Sequence, residues 1–437
     1  MDDALHILVA DYVPIANKGE EAIVRGIEDM LSDGRAVRLG LFDNVEAVTQ
    51  QGNITVFPRD WIFRFEGRAG LSGRGRLWLQ AVIAAQLRFG AYGPLKNLTA
   101  GEAQRCRPLQ DFFRRAQYVL VGHDGVFGVE SCGIVHLAKK CGKRTGILGA
   151  STGIGSGRLY KAWLYRRTLD ECDFCIFREA HSRDSMQTVC RERQKLLVGP
   201  DPAFAMRPEE PEKALAVLEG HEAYRRAKEK GRPVVAVTVL EKGRVYAGFR
   251  PDLQGQEKQQ AHAKYVAAIL DALVQKHDAF LLFLPHSTEE TGNDIVAAAH
   301  VAERMNAQPE DCLILKEDCG ARRLKSIMRE CDFVVGERTH SLIGSVSVGT
   351  PFVALTNRRD TRTHGIIGQM CGCPEHIVDM DVTSAEDASG KALELFANRA
   401  GLRDSLERVR RRLSKQIDEL SRVVRGFTGG SSVETQA

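Results

Sequence analysis

The stretch VVGERTHSLIGS (residues 334–345) contains a complete transition from strand to turn to helix. Its apolar start has the pattern of a buried strand that ends at Gly336, and a helix is predicted to begin near Ser341. Gly349-Thr350-Pro351 then leads into another run of apolar residues. This order of strand, helix and strand is typical of a βα unit in a parallel sheet.

The same alternation extends along the chain in two series. Strands are predicted in the first half at residues 6–10, 37–41, 118–122, 144–148, 173–177 and 195–198, and in the second half at 234–239, 280–284, 312–315, 332–335 and 352–355. Amphipathic stretches at 19–31, 103–116, 259–275 and 320–330 predict helices between them. We therefore expect an α/β protein with two Rossmann-like, doubly wound parallel-sheet domains that face each other across a cleft.

The break between the two series follows the last strand of the first half. Gly199-Pro200-Asp201-Pro202 cannot continue a helix or a central strand, and a charged stretch follows at 208–232. The predicted organisation is an N-terminal domain (1–207) with a basic and aromatic insertion at about 61–92, a C-terminal domain (208–384), a helical region (385–428) that packs across both domains, and a disordered tail (429–437).

Composition excludes several classes of function. The 437 residues carry 61 basic and 57 acidic side chains, a net charge of +4 that is too balanced for a nucleic-acid-binding protein. The eleven cysteines are odd in number and form no disulfide framework; Cys371 and Cys373 stand without a partner set, so no metal is expected. No leader-like or membrane-spanning stretch is apparent, so we expect a cytoplasmic protein.

The turn after the strand at 332–335 has the chemistry of an anion site. Arg338, Thr339, His340 and Ser341 lie where a helix begins, so backbone amides and a partial positive charge are available there. Arginine offers a bidentate fork for phosphate or carboxylate, and histidine offers a proton near neutral pH. The alternative is structural: the arginine pairs with an acidic neighbour and the histidine caps the turn.

Three other turns follow predicted strands of the first half. Arg178 is expected to point into the cleft, or else to pair with Glu179. Asn17 and Glu20 open the first helix: Asn17 is expected to contact the substrate, and Glu20 is a candidate catalytic group, although carboxylates there more often cap than catalyse. Gly122 permits a close backbone approach, and the adjacent His123 and Asp124 form a proton-transfer pair or, alternatively, Asp124 fixes the loop. In the second half, His286 ends a strand and is expected to bind a ligand rather than to catalyse.

These motifs, in this order, resemble the polysaccharide pyruvyl transferase family over roughly residues 7–355. The matching elements are Asn17-Lys18-Gly19-Glu20-Glu21-Ala22, the glycine-rich loop after residues 118–121, Arg178-Glu179 with Ser182, Asp201-Pro202-Ala203-Phe204, Pro285-His286, Arg338-Thr339-His340 and Gly349-Thr350-Pro351. The sequence departs from the family pattern at His123 and Asp124, which interrupt the usual run of glycines.

The resemblance implies a fold like that of two-domain glycosyltransferases of the GT-B type. It implies phosphoenolpyruvate as donor, a sugar diol as acceptor, a cyclic pyruvate ketal and phosphate as products, and no metal or nucleotide cofactor. Carried over by motif, Arg338 and His340 hold the donor, His340 is the general acid, and Arg178 is a second anion contact. The general base is left open among Asp124, Glu20 and Glu21.

The segment 61–92 interleaves aromatic with basic residues. Trp61, Phe63, Phe65, Trp78 and Phe89 alternate with Arg64, Arg68, Arg74, Arg76 and Arg88. Such a segment suits an anionic membrane surface, where lipid-linked saccharide acceptors are found, or else forms a helical hairpin packed on its own domain with a solvated basic face. A membrane contact would place the protein at the inner face of the membrane. Competing functions are a glycosyltransferase that uses a nucleotide-sugar, and a non-catalytic sugar-binding relative.

Overall fold

The structure, a computed structural model, describes residues 4–63, 73–89, 91–99, 104–123, 128–151, 159–289, 292–306 and 308–426. Contacts group the chain into two compact units. Unit 1 comprises Met1–Ile15, Ile27–Pro202 and Gln416–Ala437, and unit 2 comprises Ala16–Gly26 and Ala203–Lys415. The units differ from the predicted sequence boundaries mainly because residues 16–26, which follow the first strand, pack with the second half of the chain.

Unit 1 is built on one sheet. Its strands within the described residues are β1 (Leu5–Tyr12), β2 (Val37–Asp43), β3 (Thr49–Gln51), β4 (Ile54–Pro58), β5 (Tyr118–Val121), β6 (Arg144–Ala150), β7 (Phe174–Phe177) and β8 (Leu196–Val198). They lie in the order β3-β4-β2-β1-β5-β6-β7-β8 and pair in parallel, except that β3 is antiparallel to β4. The central strands are buried along their length because helices cover both faces of a parallel sheet.

The helices of unit 1 connect these strands and pack on the sheet. They are α2 (Gly73–Arg88), α3 (Lys96–Thr99), α4 (Arg107–Arg115), α5 (Val129–Lys140), α6 (Leu159–Glu171) and α7 (Ala180–Gln187). Helix α1 (Lys18–Leu31) begins in unit 2 and ends in unit 1.

Unit 2 contains a second, wholly parallel sheet among the residues described. Its strands β9 (Val234–Thr238), β10 (Phe280–Phe283), β11 (Cys312–Ile314), β12 (Phe333–Gly336), β13 (Phe352–Thr356) and β14 (Ile377–Asp379) lie in the order β11-β10-β9-β12-β13-β14. Strand β9 is central, and β10 and β12 flank it, so the turns after β10 and β12 lie at the same carboxyl edge. This edge carries the strongest motif of the sequence.

The helices of unit 2 complete the layers. They are α8 (Pro211–Glu219), α9 (Glu222–Glu229), α10 (Arg244–Gly248), α11 (Gly255–His277), α12 (Asp294–Ala302), α13 (Ala321–Arg329), α14 (Thr339–Val348), α15 (Thr361–Thr363), α16 (Ala385–Ala397) and α17 (Arg399–Gly426), with a π-helical segment at His364–Met370. Helix α17 continues into unit 1 after Lys415. The predicted α/β class with two parallel-sheet domains is confirmed.

No helix in the described part of the chain combines the length and apolar character that crossing a membrane requires.

Candidate functional site

Buried hydrogen bonds hold the turn between β12 and α14 in place. Arg338 is the residue that precedes the first turn of α14, whose first amides have no acceptor within the helix. The neighbouring Glu337 is buried and accepts hydrogen bonds from the amide of Leu240 at 2.8 Å and from Nε2 of His262 at 2.6 Å. The sequence thus places the positive end of a helix at a fixed point on the carboxyl edge of the sheet.

Arg338 makes a two-point ion pair with Asp294. Its Nε donates to Oδ2 at 3.1 Å and its Nη2 donates to Oδ1. Asp294 is buried and also accepts the amides of His286 and Ser287, at 2.9 and 3.0 Å. Burial raises the pKa of Asp294, and Arg338 opposes that shift. Within the described residues Nη1 of Arg338 makes no hydrogen bond, and the side chain is 20% exposed, so one edge of the guanidinium faces outward.

His286 is an uncharged member of the same cluster. Burial, together with the nearby charges of Arg338, His340 and Lys18, lowers its pKa to about 3. Its Nδ1 lies 3.1 Å from the carbonyl oxygen of Leu284, so the proton is on Nδ1 and Nε2 carries the lone pair. Lys18, Arg338 and His340, from two other segments, therefore surround a neutral imidazole at one edge of unit 2, and the cations among them favour an anion there.

The turn at Asn17 lies against the end of β10. The amide of Lys18 donates to the carbonyl of His286 at 2.7 Å, and Asn17 forms an isolated antiparallel bridge with Ser287. The Lys18 side chain is only 6% exposed, and its Nζ lies 2.7 Å from Asp318. Lys18 was not predicted as a site residue, and the structure places its charge beside His286.

Gly19 supports the ring of His340. A Cβ atom built on Gly19 would lie 2.4 Å from Nδ1 and 2.9 Å from Cγ of His340, so the glycine backbone is packed directly against the imidazole. His340 therefore has one face on the Asn17 turn, in the same cluster as Arg338 and His286. Only glycine permits this approach without moving the ring.

Gly19→Ala is expected to lower kcat/KM by about tenfold or more while the protein stays folded, because the new methyl group displaces the His340 imidazole. Steady-state assays of product formation measure the effect. Gly390→Ala is the matched control, since a Cβ at Gly390 in α16 meets no atom within 4 Å. Equal activity of the two variants would contradict the placement of His340 at the reaction centre.

The low pKa of His286 predicts a pH-dependent stability. The ordinary value of 6.5 applies to the unfolded chain and about 3 to the folded one, so the unfolded state binds more protons between these values. Stability therefore falls as the pH decreases through this window, by up to about 1.4 kcal/mol per pH unit. His286→Gln should remove that dependence, which urea unfolding followed by circular dichroism measures between about pH 7 and pH 5. Identical slopes in both proteins would contradict the buried neutral state.

Several predicted contact residues have structural roles instead. Thr339 and Ser341 were predicted to bind substrate, but their hydroxyl groups are buried: Thr339 pairs with Thr363 at 2.9 Å, and Ser341 donates to the carbonyl of Arg338 at 2.7 Å. Asn17, also predicted as a substrate contact, accepts the amide of Gly19 at 3.1 Å and so shapes its own turn.

The two adjacent carboxylates of α1 differ in their surroundings. Glu21 is buried, accepts the amide of Ala321 at 3.1 Å and thus caps α13; burial raises its pKa. Glu20 is partly exposed and accepts Nδ2 of Asn17 at 3.3 Å. Glu20 is therefore the more accessible carboxylate of the pair.

The loop after β5 in unit 1 is organised by Asp11. The Oδ1 atom of this buried carboxylate accepts the hydroxyl of Ser131 at 2.5 Å, and Oδ2 accepts the amide of Gly122. Gly122 has a positive φ of 79°, which favours glycine, and Nδ1 of buried His123 lies 3.6 Å from Asp11. Asp124 lies outside the described residues. Asp11 was not predicted as a site residue. The sequence did offer a signal for it, because it is an acidic residue near the carboxyl end of a predicted strand.

Arg178 is not the exposed anion contact that was predicted. Its side chain is fully buried in unit 1, where Nη1 donates to Asp201 at 2.8 Å and Nε donates to Ser151 at 2.5 Å. Glu179 lies alongside, 3.8 Å from Nε. A guanidinium enclosed in this way holds the end of β7 to the segment after β8, so it supports the fold and does not face a ligand.

The segment 61–92 divides into buried and exposed parts. Trp61 and Phe63 are buried in the core of unit 1, contrary to the membrane-facing interpretation for these two rings. Trp78 and Phe89 are 69% and 79% exposed, and Arg88 lies over the rings of Phe89 and Trp163. Residues 64–72 and 90, including Arg64, Phe65 and Arg68, lie outside the described residues, as do the side chains of Arg74 and Arg76.

A cavity of 380 Å³ lies beside the end of α2. It is lined by apolar side chains from four segments and by basic side chains, namely Leu87, Leu95, Leu137 and Leu164, with Arg88, Lys96, Lys140 and Arg167. The combination of an apolar wall with several cations suits a ligand that is itself amphipathic and anionic.

Solved structures with a similar fold include trehalose-phosphate synthases and an epimerase. An α,α-trehalose 6-phosphate synthase from Burkholderia multivorans matches with a TM-score of 0.55 at 13% identity, over 97% of this chain and 98% of that chain. A UDP-forming α,α-trehalose-phosphate synthase from Burkholderia xenovorans matches with a TM-score of 0.55 at 13% identity, over 97% and 100%. A putative UDP-N-acetylglucosamine 2-epimerase from Listeria monocytogenes matches at 0.50 and 10%, over 93% and 91%. At these identities the likeness establishes the fold alone.

Sequence comparison supplies the family. No curated protein matches the chain significantly. The family model for polysaccharide pyruvyl transferases matches residues 17–359, which include the Asn17 turn, His286 and the Arg338 turn. The chain therefore belongs to the polysaccharide pyruvyl transferase family and is a transferase.

Proposed function

We propose that the protein transfers the enolpyruvyl-derived group of phosphoenolpyruvate onto a hydroxyl pair of a sugar, giving a pyruvate ketal and phosphate. The observation that carries the proposal is the convergence of Lys18, His286, Arg338 and His340 at the amino end of α14. This cluster offers one outward guanidinium edge, the first amides of a helix and a histidine, within a family defined by pyruvyl transfer.

The donor has the charge distribution that the cluster favours. Phosphoenolpyruvate carries a phosphate and a carboxylate, and the Nη1 edge of Arg338 together with the first amides of α14 can bind one of them. Because Asp294 holds the other edge of the guanidinium, Arg338 is already oriented before substrate binds. His286 stays neutral, so it offers the donor a hydrogen-bonding group and no positive charge.

The reaction follows from one proton donor and one acceptor. His340 donates a proton to the methylene carbon of phosphoenolpyruvate, which leaves an oxocarbenium-like centre at C2. One sugar hydroxyl attacks C2 and loses its proton to a base, for which Glu20 and Asp124 are the candidates. The second hydroxyl then attacks C2, and phosphate leaves as the bond between C2 and the bridging oxygen breaks. One hydroxyl proton balances the proton now on the methyl group, and the other leaves with phosphate.

We place the acceptor in a cell-surface polysaccharide or glycolipid precursor, made at the cytoplasmic face of the membrane. Trp78 and Phe89 are separated by eleven residues, about three helical turns, so both exposed rings lie on one side of α2 and its extension. The neighbouring cavity combines leucines with Arg88, Lys96, Lys140 and Arg167. These features suit contact with anionic lipid and a lipid-linked saccharide.

Vesicle flotation tests the membrane contact. Vesicles that contain anionic lipid should carry the protein with them, neutral vesicles should carry much less, and Trp78→Ser with Phe89→Ser should reduce flotation by about tenfold, because two exposed aromatic anchors are lost. Arg191→Ser, at an exposed site on unit 1 away from α2, is the control. Failure of all vesicles to carry the protein would remove the membrane contact and leave pyruvyl transfer untouched.

The second candidate is a nucleotide-sugar glycosyltransferase, favoured by the fold shared with UDP-forming synthases. Thermal shift distinguishes the two donors. Phosphoenolpyruvate should raise the midpoint of thermal unfolding of the wild-type protein. Arg338→Lys, which replaces the planar guanidinium by an ammonium group, should weaken this binding by about tenfold. Arg359→Ala, at an exposed arginine of unit 2, is the control. A shift with UDP and none with phosphoenolpyruvate would favour the glycosyltransferase, and a shift with neither would favour a non-catalytic sugar-binding relative.

A further inference from the structure

A group of metal-binding side chains lies at the opposite edge of the sheet in unit 2. The ligand atoms of Cys373, Glu375 and His376 all lie within 4.8 Å of one another. These residues immediately precede β14, at the amino end of a strand, whereas Arg338 and His340 follow the carboxyl end of β12. Cys373 has no partner set in the sequence pattern, but the fold brings a histidine and a carboxylate to it.

His376 has the orientation of a metal ligand. It is 2% exposed, and its Nδ1 donates to the carbonyl oxygen of Phe352 at 2.9 Å. This bond fixes the tautomer and leaves the Nε2 lone pair available. The nearest acidic atom, Oε1 of Glu375, is 3.6 Å from Nε2, which exceeds a normal hydrogen bond. Metal-bound histidines commonly donate their other ring N–H to a backbone carbonyl in this way.

The surrounding segment is fixed on one side and open on the other. Arg412 of α17 donates to the carbonyls of Met370 and Cys371, at 2.7 and 3.0 Å, which holds the start of the cysteine loop. Cys373 is buried, while the Glu375 side chain is 57% exposed. The three side chains line a cavity of 490 Å³, which is large enough for water to reach them.

We propose that Cys373, Glu375 and His376 bind one Zn²⁺ ion, with the fourth position facing the cavity and taken by water. A thiolate, an imidazole and a carboxylate together suit zinc, since magnesium and calcium prefer oxygen ligands throughout. Bound zinc would join the cysteine loop to the start of β13 through the His376–Phe352 bond and so stabilise this end of unit 2. The proposal is independent of pyruvyl transfer.

Cobalt substitution of the full chain tests the site. Protein stripped with a chelator and dialysed should bind one equivalent of Co²⁺, with the near-ultraviolet charge-transfer absorption that a cobalt–thiolate bond produces, and Zn²⁺ should abolish that absorption. Cys373→Ser should lose the band. Cys331→Ser, which removes another buried thiol of unit 2, should keep it. Absence of the band in the wild type, or its survival in Cys373→Ser, would overturn the proposal.

Glu375→Gln tests the site in a protein that stays folded, because an exposed side chain can be replaced without disturbing the core. This variant should fold like the wild type but bind Zn²⁺ at least about tenfold more weakly. Zinc should raise the thermal midpoint of the wild type, and the rise should be smaller in Glu375→Gln. Equal zinc affinity in the two proteins would remove Glu375 from the site and contradict the three-ligand assignment.

Discussion

His340→Ala is expected to lower the rate of pyruvyl transfer by about 100-fold to 10,000-fold while leaving phosphoenolpyruvate binding nearly unchanged. The physical reason is that His340 is the candidate proton donor to the methylene carbon, whereas Arg338 and the amides of α14 bind the anionic groups. A loss confined to kcat would separate the two roles. Steady-state kinetics with saturating donor measures kcat, and thermal shift with phosphoenolpyruvate measures binding.

The control for this prediction is a histidine of the same unit at the opposite edge of the sheet. His277 ends α11 just before β10 begins, whereas the cluster follows the carboxyl ends of β10 and β12, so His277→Ala should retain activity. The pH dependence of the rate adds a second criterion. The wild-type rate should depend on the protonation state of the His340 imidazole, and the rate of His340→Ala should lack that dependence. An unchanged kcat in His340→Ala would contradict the proton-transfer role directly.

Arg178→Ala is expected to lower the free energy of unfolding of unit 1 by about 3–5 kcal/mol. Both Arg178 and Asp201 have fully buried side chains, so removal of the guanidinium leaves Asp201 with an uncompensated charge and Ser151 without its Nε donor. The three tryptophans, Trp61, Trp78 and Trp163, all belong to unit 1. Intrinsic fluorescence during urea unfolding therefore reports on this unit selectively.

Arg183→Ala is the matched control in the same region. Arg183 pairs with Asp184 at the surface, where their side chains are 35% and 57% exposed, so its loss should cost about 0–1 kcal/mol. If Arg178→Ala unfolds like Arg183→Ala but loses affinity for phosphoenolpyruvate, then the structural role assigned here is wrong and the original anion-contact hypothesis holds.

Much of the fold could be predicted because buried parallel strands are continuous apolar runs. Each strand predicted from the sequence is present, with ends that differ by one or two residues. Strands β3, β4 and β14 were not predicted. Strand β3 is three exposed residues, and β14 is a short edge strand of the second sheet, so neither carries a distinctive pattern. The facing of the two domains across a cleft stays a prediction.

The site was predicted less completely than the fold. Arg338 and His340 could be proposed because they follow a strand and precede a helix, and their roles stay predictions. Asp294 could not, since it is 44 positions from Arg338 in sequence and no local pattern links them. The role of Gly19 depends on its contact with the His340 ring, which only the tertiary structure reveals.

Arg178 shows the opposite error. Its position after a strand is the same as that of Arg338, yet its side chain is enclosed by Asp201 and Ser151 while Arg338 keeps one edge exposed. Sequence position identifies the end of a strand but not the burial of the side chain there. Burial depends on the segment after β8, which folds back over Arg178.

The most direct measurement is phosphate release from phosphoenolpyruvate with a panel of lipid-linked and free saccharide acceptors, combined with mass spectrometry of the acceptor. Wild-type protein should release phosphate only with an acceptor, and the acceptor should gain the mass of a pyruvate ketal; His340→Ala should do neither at a comparable rate. Transfer of a glycosyl group from a nucleotide-sugar to the same acceptors, with no phosphate released from phosphoenolpyruvate, would contradict pyruvyl transfer as the function of this protein.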